Sequence, residues 1–175
     1  RLMVADNGEG MSAEDIGSFL NTFGGGGKPI GEAHSNYGIG AKTSTLPWNH
    51  HGLVVLSRHA GIDSMIWLCR DPTSGEYGAR KFRDENGDFS QVIGLGPDAD
   101  LGIDWSEVMP DWIGESGTVI VCLGQTGAEN TWDTKGGHED RFDAHEVVKY
   151  LNTRIWDIPE DVEVWVTSWM DGDPL

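Results

Sequence analysis

A chain of 175 residues is long enough to bury one continuous apolar core without disulfides or structural metal, so a single domain over residues 1–175 is expected. The formal charge of −17 is uneven: residues 1–83 hold eight Lys and Arg against eight Asp and Glu, and residues 84–175 hold four against twenty-one. An acidic surface of that kind repels phosphate backbones and disfavours direct nucleic-acid binding, and no apolar run approaches the roughly 20 residues that cross a bilayer.

In chain order, Leu2 to Ala5 reads as a buried strand broken by the turn pair Asn7-Gly8. Ser12 caps a helix, with Asp15 three positions on and Ile16, Phe19, Leu20 and Phe23 at helical spacing. Gly24 to Tyr37 contains five glycines and a proline in fourteen residues, a composition that suits a mobile lid. A second helix is predicted from Gly38 to Pro47, and strands at Leu53–Ser57, Ser64–Leu68, Ala79–Phe82, Phe89–Ile93 and Gly117–Leu123. An acidic loop carries Trp105 and Trp112. Asp143 to Ile155 has the apolar spacing of an amphipathic helix, and Val162 to Val166 alternates as a closing strand. The class is α+β with a largely antiparallel sheet, and no linker or repeat divides the chain. Cys69 and Cys122 lie in apolar runs and read as buried free thiols of a reducing, cytoplasmic compartment. Because the chain opens directly in a strand at Arg1, it is read as a fragment of a longer protein.

Two segments carry chemistry. Asp6-Asn7-Gly8-Glu9-Gly10-Met11 places a carboxylate at the end of the first strand. An ionised Asp only accepts hydrogen bonds and the exocyclic amine of adenine donates, so the pair selects adenine. Gly8 and Gly10 let the backbone approach a flat ring, and Met11 supplies a polarizable face for it. A plain β-turn accounts for the same residues without a ligand. The second segment is Tyr37-Gly38-Ile39-Gly40-Ala41-Lys42, at the start of a predicted helix where unpaired N–H groups receive phosphate, with Lys42 adding a positive charge. The alternative is a glycine-rich loop with no ligand. The first segment does not match a calcium loop, because Gly8 and Gly10 replace oxygen ligands. The second is not a Walker A loop, since Pro29 follows Gly27-Lys28, nor a Rossmann fingerprint, since Thr43 replaces the third glycine.

The order of these features, followed by Gly117-Thr118-Val119-Ile120-Val121, resembles the GHKL superfamily of gyrase B, heat-shock chaperones, histidine kinases and MutL. The resemblance covers nearly the whole chain. It implies the Bergerat fold, a two-layer α/β sandwich with helices on one face of a mixed, mostly antiparallel sheet and ATP between helices and lid. By motif, Asp6, Gly8, Gly10 and Met11 would form the adenine pocket, with Thr118 supporting base recognition. Gly38, Ile39, Gly40, Ala41 and Lys42 would hold the phosphates, with Tyr37 and Gly24, Gly25, Gly26 and Gly27 of the lid beside them; Lys28 either reaches a γ-phosphate or is a solvated loop lysine, and Asn21 either approaches the ribose or phosphates or only frays the helix end.

The lid start Phe23-Gly24 and Tyr37 to Lys42 are similar to the microrchidia (MORC) ATPases, and the order after Gly117 is similar to the heat-shock chaperones. The family places the asparagine that anchors Mg2+ and the glutamate that acts as general base on a helix before the Asp motif. In this reading both would lie upstream of Arg1. What the resemblance implies is an ATPase that closes its lid and dimerises on ATP, with a protein or DNA client. The alternatives are a non-hydrolysing ATP-sensing or scaffold module and a histidine kinase catalytic domain. A metal site at His50, His51, His59 and Cys69 lacks zinc-like spacing, and the eight tryptophans read as core or interface residues.

Overall fold

The computed structural model describes residues 1–21, 41–83, 86–95, 108–129, 131, 152–153, 158, 160–165, 169–170 and 173–174. The chain groups into two compact units, Arg1–Thr131 and Trp132–Leu175, although no change of composition marks a linker between them. The first unit has a mixed α and β content built on an antiparallel sheet. Its strands are β1 (Leu2–Asp6), β2 (Leu53–His59), β3 (Ile62–Arg70), β4 (Tyr77–Ala79), β7 (Val92–Gly94) and β8 (Gly117–Cys122). The order is β1-β8-β2-β3-β4, and β7 shares the outer edge of β3 with β4: Ser64–Ile66 pair with β7 and Leu68–Arg70 with β4. Two short strands, β5 (Phe82–Arg83) and β6 (Phe89–Ser90), form a separate hairpin.

β2 explains the core. Leu53, Val54, Val55 and Leu56 are all buried, so both faces of this central strand are covered and its sequence is an unbroken apolar run instead of an alternation. One face carries Leu53, Val55, Ile66, Leu68 and Cys122 against Ile16 and Leu46. The opposite face carries Val54, Leu56, Met65, Val119 and Val121 against Phe82, Ile93, Met109 and Ile113. Among the described residues, the second face is thus covered by the β5 hairpin strand and the 108–113 segment. Each large aliphatic side chain removed from water contributes about 1.5–3 kcal/mol, which makes this double-faced strand the main stabilising element.

α1 (Ala13–Asn21) starts as the sequence predicts. The Asp15 amide donates to Ser12 Oγ at 3.2 Å, the Ser12 hydroxyl donates to Asp15 Oδ2 at 2.6 Å, and the Ile16 amide donates to Ser12 O at 2.9 Å. The Asp carboxylate therefore closes on the cap hydroxyl, one methylene too short for the reach-back of a Glu in a capping box. Ile16 is fully buried, and Gly17 brings the helix so close to β7 that a Cβ there would lie 3.3 Å from Val92 Cγ2. The predicted second helix differs. Ala41–Thr45 form a wide π-helical turn that tightens into a 3₁₀ turn over Leu46–Trp48. Pro47 sits inside that turn rather than ending it, because a proline in the first turn of a helix removes an amide that has no partner there.

β2 and β3 extend beyond their predicted ends into a tight hairpin at Ala60-Gly61, with φ of 50° and 75°. The predicted strand Ala79–Phe82 divides in two, since Arg80 leaves β4 while its amide still donates to Trp67 O at 2.8 Å. The predicted strand Phe89–Ile93 divides likewise into β6 and β7. In the second unit, β9 (Trp169–Met170) pairs with β10 (Asp173–Pro174). The predicted strand Val162–Val166 is corrected: residues 162–165 are exposed and lie outside any ladder, because alternation makes a strand only where a partner edge is offered. The predicted helix Asp143–Ile155 lies outside the described residues except for the helical pair Asn152 and Thr153, and Trp105 lies outside them too.

Candidate functional site

β1 pairs with β8 so that Asp6 stands opposite Thr118, and β8 pairs with β2 so that Thr118 stands opposite Ser57. β2 in turn sets Ser57 opposite Ser64. Directly opposed residues of antiparallel strands project to the same face. Asp6, Thr118, Ser57 and Ser64 therefore form one polar row across the α1 side of the sheet. It runs from an exposed carboxylate at the edge strand to hydroxyls with 9%, 0% and 2% exposure in the interior.

The turn after β1 is fixed by three contacts. Asp6 Oδ1 accepts the Gly8 amide at 2.9 Å, so one carboxylate oxygen is occupied locally, while Oδ2 takes no hydrogen bond among the described residues. The Met11 amide donates to Ser57 Oγ at 2.7 Å, and His59 Nδ1 lies 2.9 Å from Glu9 O. Gly10 has a φ of +65°, and a Cβ on it would lie 1.8 Å from Arg58 O and 3.1 Å from Gly117 N. Gly117 is equally tight, since a Cβ there would lie 2.3 Å from Asp6 O. The small size of Gly10 and Gly117 is thus required by protein backbone, in addition to whatever a ligand demands.

Behind this turn, Arg58 closes a bidentate pair with Asp63, Nε to Oδ1 at 2.6 Å and Nη2 to Oδ2 at 2.8 Å, and Nη1 donates to Gly114 O at 3.1 Å. The hydrogen bond to Asp63 pushes the Arg58 guanidinium above its ordinary range, so the guanidinium stays charged. It ties the β2–β3 hairpin to the segment before β8. At the opposite end of the same strands, Thr131 Oγ1 accepts the Leu2 amide at 2.7 Å and its hydroxyl donates to Cys122 O at 2.9 Å, while the Arg1 guanidinium donates to Gly127 O.

On the α1 face, Val4 precedes Asp6 by two residues, about 7 Å along the strand. It is 59% exposed, beside the half-buried Ile120 of β8. An apolar strip therefore adjoins the carboxylate. Met11 packs partly against the core cluster around Ile16 on the same side of the sheet.

The structure thus brings Asp6, Gly8, Gly10, Met11 and Thr118 to one place, although Thr118 is more than a hundred residues from the others. Asn21 is the last residue of α1, and Ala41 and Lys42 open the π-helical turn. Gly24, Gly25, Gly26, Gly27, Lys28, Tyr37, Gly38, Ile39 and Gly40 lie outside the described residues. The sequence gives no warning of Ser57 or Ser64. Their residue type is common at strand ends, and only the register shows that they extend the Asp6–Thr118 row. The histidines serve other contacts: His50 meets the Tyr77 ring edge-on, and His51 meets Trp67 in the same way.

Comparison of the chain with protein-family models, with curated proteins and with solved structures found no significant match. Among the described residues, no helix is long and apolar enough to cross a membrane.

Proposed function

We propose that this chain binds ATP in a Bergerat-type site, with the free oxygen of Asp6 accepting the adenine amine, Val4 and Met11 flanking the ring, and Thr118 contributing a hydroxyl next to the carboxylate. The observation that carries this reading is the direct pairing of Asp6 with Thr118 in the β1–β8 ladder. Two motifs read separately in the sequence stand side by side, one ionisable group and one hydroxyl on a single face. A plain β-turn would need neither a free carboxylate oxygen nor a neighbouring apolar strip.

The group fits the residues present: an acceptor with one unoccupied oxygen, an apolar floor and a fixed turn suit a planar base bearing an amine. The phosphates would go to the segment ending in Ala41-Lys42, where Lys42 supplies charge. When bound, ATP would close the glycine-rich stretch 24–37 as a lid and promote self-association. Mg2+ would arrive with the phosphates. Among the described residues no group of three or more His, Cys, Asp or Glu side chains gathers to hold a cation.

The test is Asp6→Asn. The amide keeps the shape but presents a donor where the amine needs an acceptor, so ATP affinity measured by calorimetry should fall about a hundredfold, roughly the worth of one charge-assisted hydrogen bond. The circular dichroism spectrum should be unchanged. Undiminished affinity in a folded variant would remove Asp6 from the site.

A further inference from the structure

Ser57 is the one polar side chain of β2 with no solvent exposure, and it follows four buried apolar residues, Leu53 to Leu56. A hydroxyl in such a place destabilises the fold unless its hydrogen bonds are made. Its partners come from two other elements. Oγ accepts the Met11 amide at 2.7 Å, and the hydroxyl donates toward Gly117 O at 3.3 Å, with Thr118 Oγ1 at 3.5 Å. The side chain therefore joins the last residue of the Asp6–Met11 turn to the head of β8.

We infer that Ser57 is a positioning residue: it latches the turn after β1 onto β8, and thereby fixes Asp6 relative to Thr118 for nucleotide binding. The affinity half of this inference rests on the ATP reading above; the latch itself does not. The steric clamp at Gly10 and Arg58 limits how close the turn can come to β2 but does not hold it there. The Met11–Ser57 hydrogen bond supplies the directional attraction. Alanine at position 57 removes the acceptor for Met11 and the donor to Gly117 while keeping the strand and its Cβ.

The experiment uses the full chain, wild type and Ser57→Ala, with Ser57→Thr as the variant that keeps a hydroxyl. Amide hydrogen exchange is followed by NMR and affinity by titration with ATP. In Ser57→Ala the Met11 amide should exchange about tenfold faster relative to the β2–β3 ladder amides, and ATP affinity should fall by about the same factor, since one such hydrogen bond is worth close to a factor of ten. Ser57→Thr should restore both. Ile93→Ala, which opens a cavity on the opposite face of the sheet, should lower stability without changing either readout.

Unchanged Met11 exchange in Ser57→Ala overturns the latch. Faster exchange with wild-type affinity overturns its link to binding, as does an equal affinity loss in Ile93→Ala. If the wild-type chain takes up no ATP, the nucleotide reading fails together with that link, and Met11 exchange alone still decides the latch.

Discussion

Replacing Gly10 by alanine tests how the site is held. Gly10 lies at φ +65°, where an alanine costs about 1–2 kcal/mol relative to its usual conformations. The added Cβ would lie 1.8 Å from Arg58 O, against the 3.0 Å that real Cβ atoms respect, so the turn must withdraw by about 1.2 Å from a strand that cannot yield. A withdrawal of that size would stretch the 2.7 Å Met11–Ser57 hydrogen bond beyond its useful range. Losing it and leaving a buried hydroxyl short of a partner adds about 1–3 kcal/mol. The sum, about 2–5 kcal/mol, should lower Tm by roughly 5–15 °C for a chain of this length. Thermal and urea unfolding followed by circular dichroism measure it. Gly78→Ala is the comparison, because a Cβ there meets nothing within 4 Å and stability should stay within about 0.5 kcal/mol of wild type or rise. If Gly10→Ala unfolds like Gly78→Ala, the turn is not clamped against β2 and the geometry argued for Asp6 loses its basis.

Two further outcomes are expected. Ala60 occupies a left-handed position, φ 50°, ahead of Gly61 in the β2–β3 hairpin, and Asn-Gly is the preferred pair for such a turn, so Ala60→Asn should stabilise by about 0.5–1 kcal/mol; a lower urea midpoint would contradict the turn assignment. Burial raises the pKa of both Cys69 and Cys122, so above pH of about 8.5 the unfolded chain releases thiol protons that the folded chain retains. The unfolded state then binds fewer protons, and stability falls as pH climbs. Cys122→Ala should flatten that fall, and in the native chain Cys122 should alkylate more slowly than the half-buried Cys69. Equal, fast alkylation of both thiols would show that the α1-side core does not enclose Cys122.

The parts legible in the sequence were those set by local chemistry. The α1 cap was readable because Ser12 and Asp15 act within one turn, and the central strands because Leu53–Leu56 and Val119–Val121 are dense in β-branched and apolar residues. Asp6, with its glycines, was readable because turn residues announce themselves by type. What could not be read depends on partners distant in the chain. Whether Val162–Trp165 pairs is decided by an available edge, not by its alternation. The break at Arg80 reflects a side chain placed over the Trp67 ring, 4.6 Å from its centroid, which no local pattern encodes. Ser57 and Ser64 gained their meaning only from the register that aligned them with Thr118.

That register also explains why the carboxylate lies on the edge strand. Leu2, Val4 and Asp6 face α1 because Leu2 pairs with Cys122 and Asp6 with Thr118; a slip of one residue would turn Met3 and Ala5 to that face and send Asp6 to the other. Thr131 and Gly10, contacting opposite ends of β1 and its turn, oppose such a slip, since the first takes the Leu2 amide and the second has no room to move toward Arg58. One strand inward, at the position of Thr118 or Ser57, a carboxylate would be buried and would shed its charge unless paired. At the edge, Asp6 keeps contact with water on one side while its Oδ1 and its pairing with Thr118 are fixed on the other. The register thus leaves Asp6 an exposed acceptor, carried on a backbone that is paired along its whole length with the buried strand β8.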